Sequence, residues 1–264
     1  MVATSPAAAV GAGTARRARA RRRGGALVLG LAAAAWALLV VWDRSPHARY
    51  LDHDELAGAD LGMPAVTAVF VGGWVLMLAA MMLPTTFGLV ETFTPVARRH
   101  GSARRLVALL LAGYLAAWTA VGLVAFAGDL ALHAAVDAWA PIADRSWLIA
   151  AGALAAAGAY QLSPLRDRCL TVCRSPQLFV YGRWRGRSAT LESFLLGVDA
   201  GRFCIGCCAG LMLVAFAVGM GNLGWMLLLG AAMAAEKLWD HGDRLAVPLA
   251  AVLLLAAATT AIVR

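Results

Sequence analysis

Phe203-Cys-Ile-Gly-Cys-Cys-Ala-Gly-Leu-Met-Leu-Val-Ala-Phe-Ala-Val-Gly-Met220 is an eighteen-residue run without a charged side chain. As a helix it reaches about 27 Å, close to the ~30 Å hydrocarbon thickness of a bilayer. It holds three of the chain's five cysteines, Cys204, Cys207 and Cys208. At 100° per helical residue, Cys207 lies about 60° to one side of Cys204 and Cys208 about 40° to the other, so the three thiols share one face. Soft sulfur converging at the mouth of an apolar helix points to a soft metal ion or to redox chemistry.

Working outward, the rest of the chain has the same character. Of 264 residues, 61% are hydrophobic, against about 45–50% in soluble domains. The class is all-α: a polytopic transmembrane helix bundle. Apolar runs give seven expected spans, at roughly 25–42, 65–88, 106–127, 147–163, 203–220, 223–239 and 245–263. The last two are separated by a short polar break, Glu236-Lys-Leu-Trp-Asp-His-Gly-Asp-Arg244, and Gly219-Met-Gly-Asn222 forms a tight one before the sixth. Two regions follow: a basic N-terminal tail over 1–24, expected to be disordered, and a transmembrane domain over 25–264. The first span reads as an uncleaved anchor; a cleaved signal peptide is the alternative and leaves every later orientation unchanged.

The formal charge of +8 invites a nucleic-acid reading, but the arginines lie in loops between apolar runs and are not interleaved with aromatics, so no nucleic-acid partner is expected. Their distribution instead sets orientation. With the N-terminus in the cytoplasm, 18 Lys and Arg fall on the inner side and 4 on the outer. Short loops rich in these residues stay inside, so the N-terminus is expected in the cytoplasm and the C-terminus outside. One lysine against 22 arginines, with abundant alanine, marks a GC-rich bacterial coding sequence and a multi-pass location in the bacterial plasma (inner) membrane.

This topology gathers the sulfur. The fifth span starts at its cysteines on the cytoplasmic side, and the second ends there with Met81 and Met82 in Ala79-Ala-Met-Met-Leu-Pro-Thr85. The loop between spans four and five carries Cys169 and Cys173, four residues apart and on one face if helical. Pro84 frees the carbonyl of Ala80 and can break the span where it lines a site. Met212 extends the cysteine face by one turn. Gly206 and Gly210 fall opposite the thiols, at a small-xxx-small spacing that admits a neighbouring helix. Cys207 and Cys208 diverge along the helix, so a neighbouring segment is expected to close the coordination.

Other polar groups carry a weaker functional signal. Asp52-His-Asp-Glu55 reads as a solvated acidic loop, with capture of a cation as the lesser alternative. Asp199 and Arg202 are expected to form an interfacial pair that positions the entrance of the fifth span, and Glu236 and Lys237 to pair locally or snorkel at the end of the sixth, where an ionisable group is a weak functional candidate. Trp36, Trp42, Trp118, Trp139, Trp147 and Trp239 sit largely at span ends, as interface anchors do.

Met81-Met-Leu-Pro84, the block Tyr160-Gln-Leu-Ser-Pro-Leu-Arg-Asp-Arg-Cys-Leu-Thr-Val-Cys-Arg-Ser-Pro176, Cys204-Ile-Gly-Cys-Cys208 with Leu211-Met212, Gly219-Met-Gly-Asn222 and Glu236-Lys237 together resemble the bacterial domain-of-unknown-function family of predicted metal-binding integral membrane proteins. The resemblance covers roughly residues 65–240. Some relatives carry the label copper chaperone, which implies copper handling here. Matched residue by residue, it singles out Cys169, Cys173, Cys204, Cys207 and Cys208 as candidate ligands, with Met81 and Met82 beside them.

The leading expectation is a membrane protein that binds a soft metal ion through thiolates and thioethers near the cytoplasmic face, for delivery, sequestration or transfer. Cu(I) is favoured by the adjacent methionines, with Zn or Fe as the other soft choices. The partners implied are the lipid bilayer and a metal donor or acceptor protein. No catalytic residue is assigned, and without a Gly-x4-Gly-Lys-Ser/Thr loop the chain does not read as an ATP-driven pump. Two other readings stay open: a membrane thiol–disulfide oxidoreductase using Cys204 and Cys207, where a helix start would activate a thiol, and a structural subunit with inert buried cysteines.

Overall fold

A computed structural model describes residues 6–51, 56, 62–138, 147–218 and 222–263, with the backbone alone at 6–24, 51, 137 and 218. All regular structure among them is helical. Ten α-helices appear in chain order: α1 (Pro6–Asp43), α2 (Met63–Met81), α3 (Phe87–Ala97), α4 (Ala103–Ala138), α5 (Trp147–Gln161), α6 (Pro164–Arg174), α7 (Pro176–Arg183), α8 (Ala189–Val218), α9 (Leu223–Leu238) and α10 (Ala246–Ile262). The segment 52–55, read as an acidic loop, lies outside the described residues, as do Trp139 and the glycine break at 219–221.

Among the described residues, five helices are long and apolar enough to cross a bilayer: Gly25–Asp43, Met63–Met81, Ala103–Val136, Ala189–Ala217 and Gly242–Ile262. A sixth exists if α5 and α6, which meet at a 61° bend, count as one span. This differs from seven in two places. The expected 147–163 span breaks at Ser163-Pro164, where the Ser163 side chain accepts from Arg166 N at 3.2 Å and proline takes the first helical turn. The expected span at 223–239 is α9, whose 16 residues reach only about 24 Å. Large apolar side chains on the outer helices stand exposed, among them Leu29, Leu38, Val252 and Leu255, a surface suited to lipid rather than water.

Other boundaries also differ from the sequence reading. The basic tail continues α1 back to Pro6, since alanine and arginine are good helix formers. The second span stops at Met81 instead of 88: a 3₁₀ turn, Leu83–Thr86, follows at Pro84 before α3 begins. The Ala80 carbonyl that proline leaves unbonded accepts from Trp36 Nε1 at 3.1 Å. The fifth span begins at Ala189, well before 203. Its start is fixed by Glu192, whose carboxylate accepts the backbone N–H groups of Arg185, Gly186, Arg187 and Ser188 at 2.7–3.2 Å. Gly186 makes that wrap possible at a φ of 75°. Trp118 is a core residue, 1% exposed, rather than an interface anchor.

Glycines on α8 set how closely its neighbours approach. A Cβ at Gly197 would meet the Leu110 carbonyl carbon at 2.8 Å, and one at Gly201 the Tyr114 carbonyl oxygen at 3.0 Å. Gly113 of α4 is equally close to Phe194 and Val198. The α4–α8 pair therefore packs backbone to backbone, the most extensive pairing in the bundle. On the other side Gly206 faces Cys169, while Gly210 faces the Ala157 carbonyl at 3.0 Å. The expected close approach at Gly206 and Gly210 is made by α6 and α5.

Gly197→Val should thus destabilise the bundle by the overpacking cost of about 1–3 kcal/mol or more and so lower its unfolding temperature in detergent. Gly72→Ala, where nothing lies within 4 Å of the added Cβ, should not. Equal melting of the two variants would show that the glycine contact does not set the pairing.

Candidate metal centre

Cys204, Cys207 and Cys208 project from the middle of α8 into the bundle and are 1–2% exposed. Their sulfur atoms all lie within 4.8 Å of one another. The Cys207 and Cys208 sulfurs are 3.6 Å apart, so side-chain rotation overcomes the divergence expected of adjacent helical positions. A metal ion bonded to two opposed thiolates at about 2.3 Å needs them about 4.6 Å apart, so the cluster has the right size for one ion.

The helix that brings a further thiol to this cluster is α6. Its Cys173 sulfur stands 3.6 Å from that of Cys207, and Cys173 is the one half-buried thiol among the four. Cys169, one turn earlier, is placed against Gly206. Met81 lies elsewhere, against Gly230 of α9, with Cγ 3.4 Å from the position of a Cβ there. Met82 is buried at the C-cap of α2. Met212 is buried one turn beyond Cys208.

Cys204 has two further partners. Lys237 Nζ donates to its sulfur at 2.8 Å, and the Tyr114 hydroxyl is also 2.8 Å away. Lys237 donates to Thr85 Oγ1 at 3.3 Å as well. That hydroxyl in turn donates to the Met82 carbonyl at 2.8 Å. The 3₁₀ turn at Pro84 thus places Thr85 against Lys237 and beside the cavity that Cys204 borders. Lys237 brings a positive charge to a sulfur that must be thiolate to bind metal. A small cavity of about 40 Å³ borders Cys204, Cys173, Lys237, Tyr114, Thr85 and Phe203, room for one or two water-sized species.

Buried ionic contacts hold these elements together. Glu236 does not pair with Lys237; its carboxylate accepts from Arg166 and from Gln161 Nε2, the latter at 3.0 Å. Arg166 is 0% exposed and Glu236 1%. Arg174 then caps α9, donating to the carbonyls of Glu236, Trp239 and Asp240 at 3.3, 2.9 and 2.6 Å. Arg166 and Lys237 are thus interior groups, not loop charges. Asp199 and Arg202 do pair, at 3.7 Å, and Arg183 reaches the same carboxylate at 3.3 Å.

Sequence spacing missed Tyr114 and Thr85 beside Cys204, and Arg166 and Gln161 as the partners of Glu236. An arginine in an arginine-rich loop reads as a surface charge, and only the glycine contacts of α8 hint at Tyr114. One expectation loses its basis: Cys204 is not at a helix start, since α8 begins fifteen residues earlier. Activation of Cys204 by a helix N-terminus therefore does not apply.

The family model described as copper chaperone, PpoB2, matches residues 71–260. The chain belongs to this copper chaperone family. The match takes in all five cysteines, the break at Pro84, Tyr114, the Arg166–Glu236 pair and Lys237, so the copper chaperone region and the sulfur site coincide. No curated protein and no solved structure matches the chain. The buried thiol cluster and the copper chaperone family agree in indicating metal binding.

Removing one partner of a buried ion pair typically costs about 3–5 kcal/mol. Arg166→Met should accordingly lower the unfolding temperature steeply, and Arg166→Met with Glu236→Leu should recover much of the loss. A single variant that melts like the wild type would show that the pair does not hold α6 to α9.

Proposed function

We propose that the protein carries Cu(I) as cargo, bound by Cys204, Cys207 and Cys208, with Cys173 as the closing thiol, Cys169 and Met82 as nearby sulfur, and Met81 further along, against Gly230 of α9. The observation that carries this reading is the approach of Cys173 to Cys207 across two helices, beside three buried thiols that already share one ion-sized space. Thiolate ligands select Cu(I), Zn and Fe–S centres over hard cations, and the copper chaperone family favours copper among them. Cys173, half-buried beside the small cavity, is the thiol best placed to exchange the ion with a donor or acceptor protein.

In this reading the chain crosses a bacterial plasma membrane seven times. The N-terminus is cytoplasmic, and the thiols open towards the cytoplasm. Support comes from the charge asymmetry, and from α9, whose Lys237 returns to the level of Cys204 and so runs antiparallel to α8. Function is binding and hand-over of the ion rather than catalysis.

Elemental analysis of detergent-purified protein tests the binding claim. The wild type should retain close to one copper per chain after loading with Cu(I), and the variant with Cys204, Cys207 and Cys208 all changed to Ser should retain less than a tenth of that. Equal copper, zinc and iron in both would assign the metal elsewhere and leave the cysteines as inert core. The topology is tested by single cysteines at positions 183 and 137 in a cysteine-free background: an impermeant thiol reagent on intact cells should label 137 and spare 183. The reverse pattern would invert the orientation.

A further inference from the structure

Beyond the thiols, sulfur continues. Met81, Met212, Met226 and Met233 are all buried, at 0–5% exposure. On α9, Met226, Gly230, Met233 and Lys237 fall within an arc of about 60° at 100° per residue. Lys237, at the end of this stripe, touches Cys204. Met233 is then one turn, about 6 Å, from the thiol level, and Met226 is about 16 Å away, at 1.5 Å per residue. The intervening position on the stripe is Gly230, which has no side chain. Met81 of α2 lies over it, its Cγ and Cε 3.4 and 3.6 Å from where a Cβ would stand. Sulfur therefore recurs about once per turn even where α9 itself supplies none. Met212, one turn beyond Cys208 on α8, extends the thiol face in the same direction.

We propose that these methionines form a thioether path by which Cu(I) passes between the thiol cluster and the opposite end of the bundle, so that the protein moves its cargo across the membrane rather than only holding it. This rests on the reading of the thiols as a Cu(I) site. The chemistry favours it on three counts. Thioether sulfur is a soft ligand suited to Cu(I). It is neutral and does not titrate, so the ion moves from rung to rung as a cation by ligand exchange, with no change of oxidation state and no proton taken up or released. It also binds more weakly than thiolate, and several weak sites in series let an ion leave as well as enter. Met226 stands within a turn of the N-cap residue of α9, Asn222, so the stripe runs nearly the whole length of that helix.

Purified full-length protein in liposomes, with a Cu(I)-responsive chelator inside and Cu(I) held reduced by ascorbate outside, reads the flux. Met226→Leu combined with Met233→Leu keeps volume and removes sulfur. It should cut the initial rate at least tenfold while copper retention in detergent stays at the wild-type level. Met226→Leu alone should slow the flux too, and Met63→Leu, at an exposed position, should not. Wild-type protein that retains copper yet gives no flux above protein-free liposomes overturns the path and leaves the binding site standing. So does a double variant that conducts like the wild type. Wild-type protein that retains no copper overturns the thiol site and the path together.

Discussion

The contact between Arg166 and Glu236 is the constraint on which the site depends. Neither group is open to solvent, and two charges placed so deeply persist only when each answers the other. Gln161 Nε2 answers Glu236, and Asp167 lies 2.9 Å from Arg166 Nη1, while Arg166 Nε and Gln161 Oε1 are buried without a hydrogen-bond partner among the described residues. The pair ties the bend between α5 and α6 to the last turn of α9. Through α6 it sets the height of Cys169 and Cys173, and through α9 it sets the residue next to Glu236, which is Lys237. One ionic contact thereby brings a thiol to Cys207 and an ammonium to Cys204.

Close packing completes what the ion pair begins. Gly197 and Gly201 let α4 lie directly on α8, which puts the Tyr114 hydroxyl on the Cys204 sulfur. Gly206 and Gly210 admit α6 and α5 from the other side. A helix with side chains at these four positions would hold its neighbours too far away for any of them to reach the thiols. In a bilayer, where apolar surface gains little by leaving lipid, such small-residue contacts carry much of the association. The same dryness strengthens the attraction between Lys237 and a thiolate, and leaves a hard cation few oxygen ligands to replace its water.

The helical class, the apolar runs and the shared face of Cys204, Cys207 and Cys208 were legible because they follow from local periodicity. The approach of Gly206 and Gly210 was legible for the same reason. What could not be read locally was depth. Asp199 and Arg202 look like the membrane-side end of a helix, yet α8 runs on through them with Arg202 exposed, because Glu192 and Gly186 fix its start further back. Arg166 and Lys237 look like loop charges because their partners are 70 and 33 residues away. The divergence expected of Cys207 and Cys208 came from Cα bearings alone, and side-chain rotation removes it.

The central claim is that sulfur from two helices surrounds one Cu(I). X-ray absorption at the copper edge, on protein loaded with one Cu(I) per chain, tests it most directly. The wild type should show a first shell of sulfur alone, with one fewer sulfur scatterer when Cys173 is changed to Ser. A shell containing nitrogen or oxygen in the wild type, or one that is unchanged when Cys204, Cys207 and Cys208 are all replaced, would contradict it.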